Sequence, residues 1–308
     1  MGWAQDQGNF IADQVFPVVP VQKQSDLYAI YDKGYFYRDE VGERPLGDSP
    51  GRAGYKVEHG QYFTPELALA HTIDDRVRDN ADQPLDPDLA AMRLLTTQMM
   101  IHRDRVWAEK YFSPTVWGTE WDGKNSGPGA GEFLQFDQAG SEPIQLFEQV
   151  RDEIAGSTGY TPNVLVLGAK VFRVLKNHPE IVDRVKYTQR DAVAADIIAN
   201  LIGVEKIVLP RAVYNTAQEG ATNSIEFLVN QKSALLVYAA PAPAIDQPTG
   251  GYTFTWTGLL PGATNAFGGV IERIRMEAQH SDEIQIRAAY DCNLVAKELG
   301  AYFEEVTA

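Results

Sequence analysis

The sequence predicts an α+β fold organised around one long helix. Three observations carry this reading. A capped, apolar-periodic run starts at Asp86 and covers about 40 Å at 1.5 Å per residue. From Ser141 onward, short apolar strands alternate with short helices. Over 270–306 the residues alternate in character one by one, the mark of long paired strands with one wet face. A chain of 308 residues, 44% hydrophobic and 22% charged, is long and apolar enough for a substantial core.

Residues 1–35 read as an arm. Phe16-Pro17-Val18-Val19-Pro20-Val21 sets two prolines among β-formers. Proline has no N–H for a ladder, so this segment is an edge or surface-hugging strand and not a central one. Residues 27–78 read as one extended excursion. Tyr, Phe and Ile crowd 27–37, and Gly42, Pro45, Gly47, Pro50, Gly51 and Gly54 make a turn region. Tyr55-Lys56-Val57-Glu58 then resumes the two-residue period. The pattern predicts a broad hairpin with a flexible tip and no core of its own.

The long helix is predicted over 86–112. Asp86 is its N-cap, Pro87 its first residue and Asp88 a carboxylate in its first turn. Leu89, Met92, Leu95, Met99 and Val106 are its expected apolar face. Residues 113–140 read as loop around Gly127-Pro128-Gly129-Ala130-Gly131. Ser141 is expected to cap a helix that carries Ile144, Phe147 and Ile154 on one face. Asn163-Val164-Leu165-Val166-Leu167 is a strand buried on both sides. Helices follow at 168–177, stopped by Pro179, and at 191–202, ended by Gly203. Strands are expected at 206–209, 224–229, 234–238 and 252–257, and the closing strands turn at His280-Ser281-Asp282.

Charge and cysteine usage narrow the function classes. A net charge of −15 opposes the basic surplus that phosphate binding requires. Any DNA near this chain meets a repelling wall. The single Cys292 excludes an intrachain disulfide and reads as a small buried hydrophobe. Neither a signal peptide nor a run of ~18 apolar residues is present, so a cytoplasmic setting and no membrane span are expected.

Chemistry is not legible. His59, His71, His102, His178 and His280 form no metal-holding pair. Gly168-Ala169-Lys170 lacks the upstream glycine and the hydroxyl residue of a phosphate loop, and Gly156-Ser157-Thr158-Gly159 is no nucleophile elbow. Asp74-Asp75 and Glu304-Glu305 are neighbours, which point apart on a strand. No catalytic residue, cofactor or metal is therefore expected. Arg38, Arg44, Arg52, Arg76 and Arg78, interleaved with acidic residues, are read equally well as a solvated mixed-charge hairpin or as a docking surface for another copy.

The order of these segments resembles the major capsid proteins of tailed bacteriophages, with their Hong Kong 97-like fold. The resemblance spans nearly the whole chain. It is carried by the arm with Phe16-Pro17-Val18-Val19-Pro20-Val21, the Tyr-rich hairpin, Arg76-Val77-Arg78-Asp79-Asn80-Ala81-Asp82 leading to Pro84-Leu85-Asp86, the long helix, and Pro162-Asn163-Val164-Leu165-Val166-Leu167 followed by Asn177-His178-Pro179-Glu180-Ile181.

The resemblance implies an N-terminal arm (1–35), an extended loop (36–78), a peripheral domain (79–140) with its spine helix, an axial αβ domain (141–267) and return strands of the peripheral sheet (268–308). It implies a structural subunit that self-assembles through pentamers and hexamers into an icosahedral head enclosing double-stranded DNA, made in the bacterial host cytoplasm and located in the virion capsid. Phe16, Val18, Arg38, Arg44, Arg52, Tyr55, Arg76 and Arg78 are the expected inter-subunit contacts. The charged helical segment that precedes the arm in some relatives is missing, so a separate scaffolding protein is expected, with a portal and a decoration protein as further partners. Lys33 and Lys56 flank the hairpin but do not sit at its tip, so no covalent cross-link is expected. An encapsulin-like shell around protein cargo is the alternative, and an α/β enzyme using 141–267 is a more distant one.

Overall fold

A computed structural model describes residues 5–44, 46–47, 49–81, 86–185, 195–244, 247–259 and 269–308. Pro45 of the turn region, the lead-in residues Asp82, Pro84 and Leu85, the start of the helix expected from 191, and the boundary expected at 267 lie outside these residues. The chain enters through a 3-10 turn (Gln7–Asn9), α1 (Ala12–Val15) and β1 (Val18–Val21). β2 (Ser25–Tyr31), α2 (Lys33–Phe36), β3 (Val57–Phe63), β4 (Glu66–Asp74) and α3 (Asp75–Asp79) lead to the long α4 (Pro87–Tyr111). Then come β5 (Thr119–Lys124), β6 (Glu132–Leu134), α5 (Pro143–Thr158), β7 (Val164–Leu167), α6 (Ala169–Lys176), α7 (Pro179–Val185) and α8 (Ala195–Ile202). β8 (Lys206–Val208), β9 (Val213–Asn215), β10 (Ile225–Phe227), β11 (Ala234–Val237), β12 (Gly251–Trp256), β13 (Gly269–Met276), β14 (Ser281–Leu294) and β15 (Gly300–Glu304) complete it.

Local chemistry explains the start of α4. The Asp86 side chain accepts from the Leu89 amide at 3.1 Å, and Pro87 occupies the position where no N–H is needed. Its buried residues include Ala91, Leu95, Met99, Arg103, Trp107 and Tyr111, every fourth position. Four residues turn an α-helix slightly more than once, so this stripe drifts around the rod. Leu89 and Met92, expected on the apolar face, are exposed instead. α4 packs against β4, β14 and α1, and the positions of Leu89 and Met92 lie outside that cover. Two other local readings are corrected. Glu142, not Ser141, precedes α5, and the Ser141 hydroxyl bonds elsewhere. Pro179 stops one helix and opens α7, since proline suits a first turn.

Among the described residues the strands form a five-stranded sheet, a six-stranded sheet and two ribbons. In the first sheet β1 pairs in parallel with β12, β12 with β14, and the first part of β14 lies between β13 and β4. In β14, Ile284, Ile286, Ala288, Tyr290 and Cys292 are buried while Glu283, Gln285 and Arg287 are partly open, as the alternation predicts. The second sheet runs β6-β5-β15-β11-β7-β8 and divides two cores. Val164, Val166, Leu235, Val237 and Tyr302 face the core shared with α4. Leu165, Leu167, Ala234, Leu236, Ala301 and Phe303 face the core under α5, α6 and α8. The reading of 163–167 as a doubly buried strand holds.

Several segments differ from expectation because their partners are distant in sequence. Residues 113–140 contain β5 and β6, which extend the six-stranded sheet in parallel from β15. β15 leaves the return strands of 268–308 and inserts between β5 and β11. The excursion of 36–78 is hairpin only as far as Phe63, because β4 joins the five-stranded sheet along β14. The arm is docked rather than free. Phe10, Ile11, Val15 and Phe16 are buried in the core of their own chain. Phe16 packs against Trp107, Tyr111 and Trp117 at centroid separations of 5.8, 4.9 and 6.3 Å. Gly251 makes room, since a Cβ there would stand 2.4 Å from the Phe16 ring.

Phe16→Ala is expected to remove about 3–5 kcal/mol of stability by chemical denaturation, through a cavity beneath α4. Leu27→Ala on the exposed hairpin strand should stay within about 0.5 kcal/mol of the parent.

Candidate functional site

The candidate site is a surface, not a cleft. Among the described residues no group of three or more His, Cys, Asp or Glu side chains could hold a metal, and no helix is long and apolar enough to cross a membrane. One Ser–His pair lies in a shallow hollow lined by Phe136, Asp137, Ser141, His178, Glu180 and Arg184. Ser141 Oγ stands 2.9 Å from His178 Nε2. His178 Nδ1 accepts from the Glu180 amide at 3.3 Å, so the proton sits on Nε2 and is donated to the serine. The hydroxyl in turn donates to the carbonyls of Gln138 (2.9 Å) or Phe136 (3.2 Å). Burial pushes the His178 pKa down, which keeps the ring neutral. This is the reverse of a general base on a nucleophile, and it ties the 136–141 turn to α7.

The hairpin β2–β3 projects a largely exposed outer half. Its strands pair from Ser25↔Phe63 to Tyr31↔Val57. Only its base is packed: Tyr28 and Tyr62 lie on Phe254 at 5.4 and 4.7 Å. Tyr28 crosses the ladder over Gly60, where a Cβ would stand 2.3 Å from the ring. Farther out, Tyr31, Phe36 and Tyr55 make an aromatic cluster with centroids 5.6–6.0 Å apart. Tyr55 is 63% and Phe36 60% exposed. Val41 and Leu46 beyond them are almost wholly exposed. The tip region is moored by Lys33 to Glu298 at 2.6 Å and by the Tyr37 hydroxyl donating to the Thr158 carbonyl.

The expected contact residues separate into groups. Arg38, Arg44, Arg52 and Tyr55 are exposed on the hairpin, with Arg38 5.2 Å from the Tyr35 ring and 3.5 Å from Glu40. Val18 is half-buried and pairs with Thr253 at the sheet edge. Arg76 is exposed on α3 beside Asp74. Phe16 is buried inside the chain, which corrects the expectation for it, and Arg78 has acidic partners within its own chain. The Phe16 ring is inaccessible, and the Arg78 guanidinium meets Asp282 at 2.8 Å, Asp88 at 2.7 Å and Asp75 at 3.6 Å.

Asp282 is the hub that sequence reading missed. Its carboxylate accepts from Arg273 Nε at 3.0 Å, Arg78 Nη1 at 2.8 Å and Arg275 Nη1 at 3.2 Å. Arg275 also grips Asp75 with two bonds of 2.7 Å. The network joins α3, the start of α4 and the β13–β14 turn, which lie up to about 200 positions apart in the chain. Hydrogen bonds from Arg273, Arg275 and Arg78 pull the Asp282 pKa down to about 2. Alternating Arg and acidic residues in 272–283 were the available signal, but only the register of β13 on β14 shows which pairs meet.

A family model described as phage major capsid protein E matches residues 135–214. A major capsid protein of Burkholderia phage BcepMu is 27% identical over 206 residues, 67% of this chain and 64% of that protein. A major capsid protein of Pseudomonas phage JBD67 is 23% identical across 99% of this chain and 94% of its own length. The crystal structure of a phage-related protein from Bordetella bronchiseptica RB50 superposes with a TM-score of 0.72 at 22% identity, covering 98% of this chain and 93% of the other. The mature capsid of bacteriophage PhiM1 gives 0.57 at 12% identity over 99% and 88% of the two chains. An encapsulin complex from Synechococcus elongatus PCC 7942 gives 0.53 at 10% identity over 96% and 87%.

The chain thus has the Hong Kong 97-like fold of phage capsid chains. Within that fold, the family model and both curated relatives to which the chain is similar are phage major capsid proteins.

Asp282→Asn is expected to lower the denaturation midpoint near neutral pH. A depressed carboxylate pKa gives stability that is present above about pH 4 and lost as pH falls through about 2. The gap between parent and variant midpoints should therefore close over that acid range.

Proposed function

We propose that the chain is the structural subunit of an icosahedral phage head, assembling as pentamers and hexamers around double-stranded DNA. One observation carries this reading. The hairpin displays Tyr31, Phe36, Val41, Leu46 and Tyr55, large apolar side chains exposed by 44% to 107%, at and beyond the outer end of a two-stranded ribbon. A ribbon of this kind is marginal in water by itself, and an apolar patch of this kind marks an interaction surface. Its chemistry suits a second copy of the same chain, on which aromatic anchors would be buried and Arg38, Arg44, Arg52 and Arg76 would set register.

In this reading the five-stranded sheet and α4 form the peripheral body. The helices α5–α8 with β7–β11 make the axial part that gathers at the symmetry axes. The net charge of −15 favours confinement of DNA by repulsion over binding. A separate scaffolding protein, a portal and a decoration protein are the expected partners, and assembly would take place in the host cytoplasm. The curated relatives bear phage names, which favours a DNA-filled head over a protein-filled nanocompartment.

Negative-stain microscopy of the purified chain should show closed shells or five- and six-membered rings. The triple variant Tyr31→Ser, Phe36→Ser, Tyr55→Ser should remain folded, with a melting temperature within a few degrees of the parent, and lose assembly. A parent chain that stays monomeric at high concentration in every salt tested would sink the proposal, as would a triple variant that assembles normally. Particles from infected cells that hold protein cargo and no nuclease-resistant DNA would replace the DNA reading by the nanocompartment one.

A further inference from the structure

The arm is held on α4 by charge buried beneath apolar side chains. Asp104 is 2% exposed, and its carboxylate accepts from the backbone amides of Ile11 at 2.6 Å and Ala12 at 3.3 Å. Asp13 of α1 pairs with Arg103 at 2.8 Å, and Arg103 Nε stands 3.9 Å from Asp104. β14 closes the cluster with Tyr290 and Cys292. Burial pushes up the pKa of the Tyr290 hydroxyl and of the Cys292 thiol, the latter to about 11, so both stay neutral at ordinary pH. Within the cluster, two carboxylates share one guanidinium.

We propose that Asp104 is a proton-operated latch, on which protonation tightens the arm against α4 and ionisation loosens it. An ionised Asp104 forfeits hydration and faces the Asp13 carboxylate. Two backbone amides and Arg103 offset that cost only in part. A neutral carboxyl keeps a carbonyl oxygen for the arm amide and removes the repulsion. The apolar anchors Val15 and Phe16 are indifferent to pH.

Burial raises the Asp104 pKa from 3.8 to about 6 against the opposing pull of Ile11, Arg103 and Ala12, and burial raises Asp13 as well. Undocking returns Asp104 to water. The docked state therefore binds the proton more tightly, so docking strengthens as pH falls through about 6 and is weakest above it. With these values the docking equilibrium gains about tenfold between pH 7 and pH 5. The latch concerns the arm of the single chain and does not depend on the head-shell reading.

Amide hydrogen exchange of the unassembled full-length chain, corrected for intrinsic rates, tests it across pH 5 to 8. Protection of residues 10–16 should rise about tenfold from pH 7 to pH 5, with little change in β7 or β11. Asp104→Asn should flatten that dependence. Asp13→Asn, which removes the neighbouring negative charge, should shift the transition to lower pH without abolishing it, and this keeps the test alive if the first variant fails to fold. Arm protection that is flat from pH 5 to 8 in the parent overturns the proposal. An unmoved transition in Asp13→Asn, or an undiminished slope in a folded Asp104→Asn, does the same.

Discussion

The packing at the C-terminal end of α4 is the constraint on which the rest of the fold depends. Trp107, Tyr111 and Phe112 lie at the end of the long helix, Trp117 just beyond it, and Tyr302 arrives from β15. The Trp117 indole donates to the Tyr111 carbonyl at 2.7 Å, and the Gly118 amide donates to Lys297 at 2.8 Å. These contacts join the five-stranded sheet, which carries β12 and β14, to the six-stranded sheet, which carries β11 and β15. Gly250, Gly251 and Gly300 admit the rings, since a Cβ at Gly300 would stand 2.2 Å from Trp117. Buried aromatic side chains contribute the largest apolar areas in a core, so one such junction can orient two sheets and an arm at once.

Charge is used at two places along the same helix, to different effect. Near the start of α4, Asp88 belongs to the open network of Arg78, Arg273 and Asp282. Three of its side chains retain between 24% and 52% of their exposure, so each pair contributes modestly and the network acts chiefly by register. Midway along, Arg103 and Asp104 are nearly sealed from water. There each unshared charge is costly, and the pairing selects one docked position for the arm more than it adds stability. A helix whose buried stripe includes two charged residues is organised to receive a specific neighbour, here residues 11–13.

The hairpin shows the opposite design. Its base is anchored by Tyr28 and Tyr62 on Phe254, while its outer half spends apolar side chains on solvent. Such a segment is favoured only when another surface covers it. That separates the parts of the molecule that fold for themselves from the part that suits an assembly of like subunits. The docked arm belongs to the first set, with Phe16 buried in the core of its own chain.

What the sequence determined by itself was whatever short-range chemistry decides. The start of α4 followed from Asp86 and Pro87, the burial of Val164–Leu167 from an unbroken apolar run, and the β13–β14 pairing from strict alternation around a turn at His280, whose φ of 48° places it in the left-handed region. The ordered combination of these elements was enough to indicate the capsid fold. Tertiary structure alone decided where the remaining pieces went. β4 reads as loop until β14, more than 200 positions later, supplies its ladder. β15 reads as a return strand until β5 and β11 flank it. Nothing in the local sequence marks Asp104 as the acceptor of the amides of residues 11 and 12. Hydrogen-bond partners and desolvation depend on which distant surfaces meet, and no local pattern of residues encodes that meeting.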